Sequence, residues 1–171
     1  MKTLLKGQKL PLESELNSKI FNIGINWDKQ TIKDYDIDAS LLLLSERGKI
    51  ENEEDFIFYN NPDSSDGNIK LDCYGNSNYL KLISFNLERL TSSVSKILLV
   101  LTIDNGYKLN QSFGKVNNLT IDVLDSDKRN IYLRYPIEGL SLETAIITME
   151  IYKHNNIWKV NAVGIGFNAG L

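Results

Sequence analysis

The chain predicts an all-β domain, and three observations carry that reading. Its apolar residues recur with period two or in short continuous runs, those runs are bounded by Asn, Asp, Gly and Ser, and helix-period stretches are few. At 171 residues, 42% hydrophobic and 24% charged, the composition fits one ordinary globular domain over residues 1–171, large enough to bury its own core.

The candidate strands in order are 19–25, 39–44, 55–59, 68–71, 79–85, 96–103, 119–124, 131–136, 144–153 and 158–166. Those at 39–44 and 96–103 contain the longest apolar runs, Leu41 to Leu44 and Ile97 to Leu101, both far too short to cross a bilayer. Between the strands stand Glu46-Arg47-Gly48, Ser65-Asp66-Gly67, Asp125-Ser126-Asp127 and His154-Asn155-Asn156. These residues tolerate positive φ or bond their own backbone, as turns require. The last of them closes a hairpin, in which Tyr152 and Trp158 are expected to face each other across the final two strands. Two short helical connectors are expected, at 86–90 and at 112–116, the second with Ser112 as its N-cap. The polar stretch 59–78 comes nearest to a domain boundary, but no Pro-rich or Gly/Ser-rich linker and no fixed-period repeat divides the chain.

Charge and reactive residues exclude several classes of function. A net charge of −3, with Lys and Arg scattered along the chain, creates no field to attract nucleic acid. The start, MKTLLKGQKLPLESEL, lacks the uninterrupted apolar segment of a signal peptide. Cys73 is the only cysteine, which rules out an intramolecular disulfide and suits a reducing compartment. A soluble, cytoplasmic protein without direct membrane insertion is therefore expected, with Cys73 a spectator. His154 is the only histidine and falls in the expected hairpin turn, so Ser-His-Asp, Cys-His and multi-histidine metal sites lack parts. No glycine-rich phosphate fingerprint is complete. The expectation is a binding protein and not an enzyme.

The most informative local feature is Asp34-Tyr35-Asp36-Ile37-Asp38-Ala39-Ser40, leading straight into four leucines. In an extended chain, residues 34, 36, 38 and 40 share one face at about 6.6 Å intervals. The three like-charged carboxylates on that line, beside a hydroxyl, repel one another, which a hard cation such as Ca²⁺ would relieve. Two readings remain open: such a cation site, or solvated loop charges with only Asp38 bonding at the strand edge. The run lacks the Gly and terminal Glu of an EF-hand loop. Asp28 and Asp66 would complete a site if the loops at one end of the molecule converge; taken singly, each is a turn residue.

Motifs along nearly the whole chain resemble the bacterial tellurium-resistance TerD family, which includes related stress proteins and proteins named as cyclic-AMP binding. In the first half these are Leu5-Lys6-Gly7-Gln8, Gly24-Ile25-Asn26-Trp27-Asp28, the aspartate run 34–40, Asp55-Phe56-Ile57-Phe58-Tyr59-Asn60-Asn61 and Asp66-Gly67. In the second half they are Gln111-Ser112-Phe113-Gly114, Arg134-Tyr135, Glu143-Thr144-Ala145, Glu150 to His154, Trp158-Lys159 and Ala162 to Phe167. The resemblance implies a two-sheet β-sandwich with a calcium-binding, non-enzymatic role in resistance to tellurite and other stresses. It also implies Asp34, Asp36 and Asp38 as ligands, with Asp28 and Asp66 as helpers. Other stress or tellurium-resistance proteins, including a membrane-associated stress complex, are the implied partners. Family members carry a long acidic loop after the Asp-Gly turn; here the region reads Asp72-Cys73-Tyr74-Gly75-Asn76-Ser77-Asn78-Tyr79, short and poor in acids, with Asn76 as the matching ligand. Because affinity follows the number of charged ligands, calcium binding is expected to be weakened or lost. A calcium-independent interaction module is the alternative. A cyclic-nucleotide binder is a lesser one, since no phosphate site is visible.

Overall fold

The structure is a computed structural model that describes residues 1–168. Two six-stranded sheets form a sandwich. The first runs β1 (Lys2–Thr3), β10 (Ile131–Pro136), β9 (Asn117–Leu124), β3 (Ile20–Asp28), β7 (Lys81–Asn86) and β6 (Ile69–Asp72). The second runs β2 (Lys9–Pro11), β12 (Ile157–Phe167), β11 (Ala145–His154), β8 (Lys96–Ile103), β4 (Ile37–Leu44) and β5 (Phe56–Ile57). Among the described residues, only β1 and β10 pair in parallel. The expected all-β, two-sheet fold is thus what the chain adopts.

Alternation along each strand builds the core. In β4, Ile37, Ala39, Leu41 and Leu43 enter it, which leaves Asp38, Ser40, Leu42 and Leu44 on the outer face of the second sheet. From the first sheet, Phe21 and Phe85 meet as directly opposed residues of β3 and β7. Their rings stack at 4.8 Å, a pair that contributes about 0.5–1.5 kcal/mol beyond burial alone. Thr148 marks a bulge where the register of β11 shifts against both neighbours. Its fully buried hydroxyl donates to the Leu99 carbonyl at 2.9 Å, so the irregularity does not leave that hydroxyl unpaired.

Most expected strands are present to within three residues at their ends, but several details differ. The segment expected at 55–59 opens as a turn of 3-10 helix, Glu53–Asp55, and only Phe56–Ile57 pairs in the sheet. Residues 87–90 form a turn and not a helix. The connector at 112–116 is one turn of 3-10 helix, Phe113–Lys115, with Ser112 at its N-cap but no side-chain cap bond. β1, β2 and the helix α1 (Leu12–Leu16) lie outside the predicted elements. α1 buries Leu12 and Leu16 and ends at Asn17, whose φ of 52° is a left-handed cap. Five residues are too few for a helical period to register in sequence.

The hairpin expected at His154 to Asn156 closes as a two-residue loop: His154 pairs with Ile157, and Asn155 and Asn156 have φ of 52° and 62°. Both positive values match the twist of the flanking strands. The expected Tyr152–Trp158 pair is corrected by the register, which sets Lys153 opposite Trp158 and Tyr152 opposite Lys159. One residue of register moves a side chain to the other face. The Lys153 ammonium instead lies 5.3 Å from the centre of the Trp158 ring.

Candidate functional site

Strand β4 begins at Ile37, so the sequence D-x-D-x-D does not form one continuous extended line. Asp34 sits in the preceding turn. Its Oδ2 accepts from Gln111 Nε2 at 3.2 Å. Asp36 leads into the strand, with its carbonyl accepting from the Asp104 amide at 2.8 Å. Asp38 occupies the outer face, opposite Thr102 of β8. Burial holds the Asp38 carboxyl above its usual range, and the negative charges of Asp36 and Asp104 push the same way. Lys81, at the start of β7, opposes the shift. Three carboxylates therefore feel one another at this end of the sandwich, with one ammonium among them.

The loop from Asp72 to Tyr79 closes beside this corner. Asp72 Oδ1 accepts from the amides of Tyr74 and Gly75. Asn76 Oδ1 accepts from those of Asn78 and Tyr79 at 2.8 and 2.9 Å. Gly75 has φ of 66°, and any Cβ there would collide with the Tyr79 carbonyl. The Asn26 side chain spans the far side of the loop, donating to Asn78 O and accepting from Leu80 N. Lys81 Nζ donates to Cys73 O at 3.0 Å. Burial raises the Cys73 thiol pKa, with Asp38 and Asp72 adding to the rise while Lys81 offsets it.

A second anchor lies on the outer face of the first sheet. Tyr79 passes over Gly24, where a Cβ would come within 2.4 Å of the ring. Its hydroxyl donates to Asp122 Oδ2 at 2.7 Å. Asp122 is 1% exposed. It receives a two-pronged Arg134 guanidinium, Nε to Oδ1 and Nη2 to Oδ2, both at 2.8 Å. A buried carboxylate needs such partners, and here it has three charge-assisted or short bonds. Burial and the Asp122 carboxylate push the Tyr79 hydroxyl well above the ordinary tyrosine range.

The remaining candidates are engaged elsewhere. Asp28, at the end of β3, accepts from the Gln30 amide at 3.1 Å. Asp66 lies before the opposite end of β6 from Asp72, away from this corner. It accepts from Ser64 Oγ, Asn68 N and Thr91 N. Burial alone would raise its pKa, but those hydrogen bonds outweigh it and hold the carboxyl below its usual range. Among the described residues no three His, Cys, Asp or Glu side chains come close enough to share a metal ion. Calcium takes six to eight oxygens, whereas here the Asp28, Asp66, Asp72 and Asn76 oxygens already serve backbone amides and Lys81 brings an ammonium. The donors present do not fit a closed calcium cage.

Sequence reasoning missed Asp72, Asp104, Gln111 and Lys81 as members of the corner. Gln111 had a signal in the Gln111-Ser112-Phe113-Gly114 motif. Asp104 and Lys81 had none, because only the pairing of β4 with β8 and of β3 with β7 carries them to this end.

The fold and its corner define a β-sandwich with an aspartate-rich strand entrance and a loop closed against it. The sequence profile of the TerD domain matches residues 1–171. The chain belongs to the TerD family. It is 37% identical over 180 aligned positions to tellurium resistance protein TerD of Serratia marcescens, covering 99% of this chain and 92% of that protein. It is 34% identical to general stress protein 16U of Bacillus subtilis, again over 99% and 92%. The crystal structure of a TerD homologue from Streptomyces coelicolor superposes with a TM-score of 0.68 at 18% identity, over 89% of this chain and 92% of that one. At that identity the likeness shows the fold. No helix among the described residues is long and apolar enough to cross a membrane.

Proposed function

We propose that this chain serves in tellurite resistance and the general stress response as a non-enzymatic interaction protein whose calcium site has degenerated. The names of its relatives support the stress role. The observation that carries the calcium reading is the 72–79 loop, held by Asn26, Asp72, Asn76, Tyr79 and Lys81 through bonds within the protein. A loop organised in that way needs no ion to order it, and its lysine supplies positive charge among the carboxylates. Any calcium at Asp36 and Asp38 is held at about millimolar affinity or weaker, the range of sites with few charged ligands. The exposed position of His154 at the end of β11, beside the hairpin loop, supports the absence of histidine-based acid-base chemistry. Within a cytoplasmic stress response the protein then acts through its surface, on partners among other stress or tellurium-resistance proteins.

Thermal unfolding with calcium or with chelator tests this. A millimolar site at about 5 mM Ca²⁺ stabilises by about 1 kcal/mol, which raises Tm by about 2–4 °C for a chain of this length. A micromolar site would stabilise by about 5 kcal/mol. A shift above about 10 °C, abolished in Asp38→Asn, would sink the reading.

A further inference from the structure

We propose that the outer face of β4 and β8, beneath the arm Phe56 to Tyr59, binds a small organic cation: a primary ammonium carried on an apolar or aromatic stem. The groove there encloses about 420 Å³, within the size range of small-molecule sites. Its floor carries Leu42 and Val100 together with the hydroxyl residues Ser40 and Thr102. Val100 is 1% exposed and lies outside the sandwich core, covered by its neighbours on the outer face. One wall is aromatic: Phe56 and Phe58 stack at 4.9 Å, and Tyr59 meets Phe58 edge-on at 5.3 Å. Tyr59 is 60% exposed, with no part in the core.

Asp38 supplies the charge at one end. Among the described residues no Lys, Arg or His nitrogen lies within 4 Å of its carboxylate. A cation seated at that end of the groove pairs with this carboxylate, whose positive neighbour Lys81 lies beyond 4 Å. Aromatic rings attract the same cation through their faces. From Asp38 to Leu42 the strand rises about 13 Å, which suits a stem of about ten heavy atoms and sets the ligand apart from a bare metal ion.

The test is titration calorimetry in EDTA with three isosteres: 4-phenylbutylammonium, 4-phenylbutanol and 4-phenylbutyrate. The ammonium should bind about tenfold more tightly than the alcohol, as a desolvated cation–π and carboxylate contact implies, and the carboxylate most weakly. Asp38→Asn should erase the preference for the ammonium, while Tyr59→Ala, at an exposed position, should weaken both ammonium and alcohol. Equal binding of all three, absence of binding up to about 10 mM, or binding of an acetyl-Leu-Lys-Leu-amide peptide where the free amine fails would overturn the proposal. Because chelator is present throughout, none of these outcomes bears on whether calcium stabilises the fold.

Discussion

Tyr79→Phe removes one hydroxyl and leaves the ring lying on Gly24. Asp122 then loses a 2.7 Å bond in a site that is 1% exposed. Hydrogen bonds to charged groups contribute about 1.5–3 kcal/mol. Arg134 keeps both of its bonds to the carboxylate, which places the loss near the lower end, about 1.5–2 kcal/mol. For a domain of this size that lowers Tm by about 3–8 °C. Amide exchange in the 72–80 loop should accelerate by more than exchange in β9, because the hydroxyl joins the loop to the sheet. The pH dependence gives an independent check. The Tyr79 hydroxyl is raised by burial and by Asp122, so the folded state keeps its proton after the unfolded chain has lost it. Its contribution is fully present below the ordinary tyrosine range and is lost as pH rises through the folded value. The stability gap between wild type and Tyr79→Phe should therefore stay flat across neutral pH and close only above about pH 10. A Tm change within about 1 °C, or a gap that varies between pH 6 and 9, would refute the anchoring role.

Two further outcomes follow from the same contacts. Gly24→Ala drives a methyl into the Tyr79 ring at 2.4 Å and should cost about 1–3 kcal/mol in denaturant unfolding, with Tyr79→Ala restoring part of the loss in the double variant. Asp66→Ala should destabilise by about 0.5–1 kcal/mol at neutral pH, discounted for an exposed carboxylate. Since the folded Asp66 pKa is depressed, that contribution is present above the unfolded value and disappears as pH falls through the folded one. Acid titrations of the two proteins should converge there, and a difference that persists into strong acid would count against the role of the ionised carboxylate as hydrogen-bond acceptor for Ser64, Asn68 and Thr91.

The strands were legible because they obey a local rule. Ile37, Ala39, Leu41 and Leu43 alternate with Asp38, Ser40, Leu42 and Leu44, and the pattern sets their two faces before any partner is known. Asn155-Asn156 announced its hairpin in the same way, since few residues accept two positive φ values. What failed was whatever depended on register or on short segments. Tyr152 and Trp158 look paired by count but are one residue out. α1 is too brief to show a period. The aspartate run read as a line of ligands, but the chain turns at Asp34, and Gln111 takes that carboxylate.

For the candidate site, the sequence by itself determined that acids cluster at the entrance of β4 and that the 72–79 segment carries one carboxylate, Asp72. It also determined the family, through ordered motifs over the whole chain. Tertiary structure alone decided which charges meet. Asp66 went to the other end of β6, Lys81 and Asp104 arrived from other strands, and Tyr79 found Asp122, which is 43 residues away in sequence. Side-chain alternation is a property of one strand, whereas these encounters depend on strand order and register, which emerge only when two sheets bury their inner faces together.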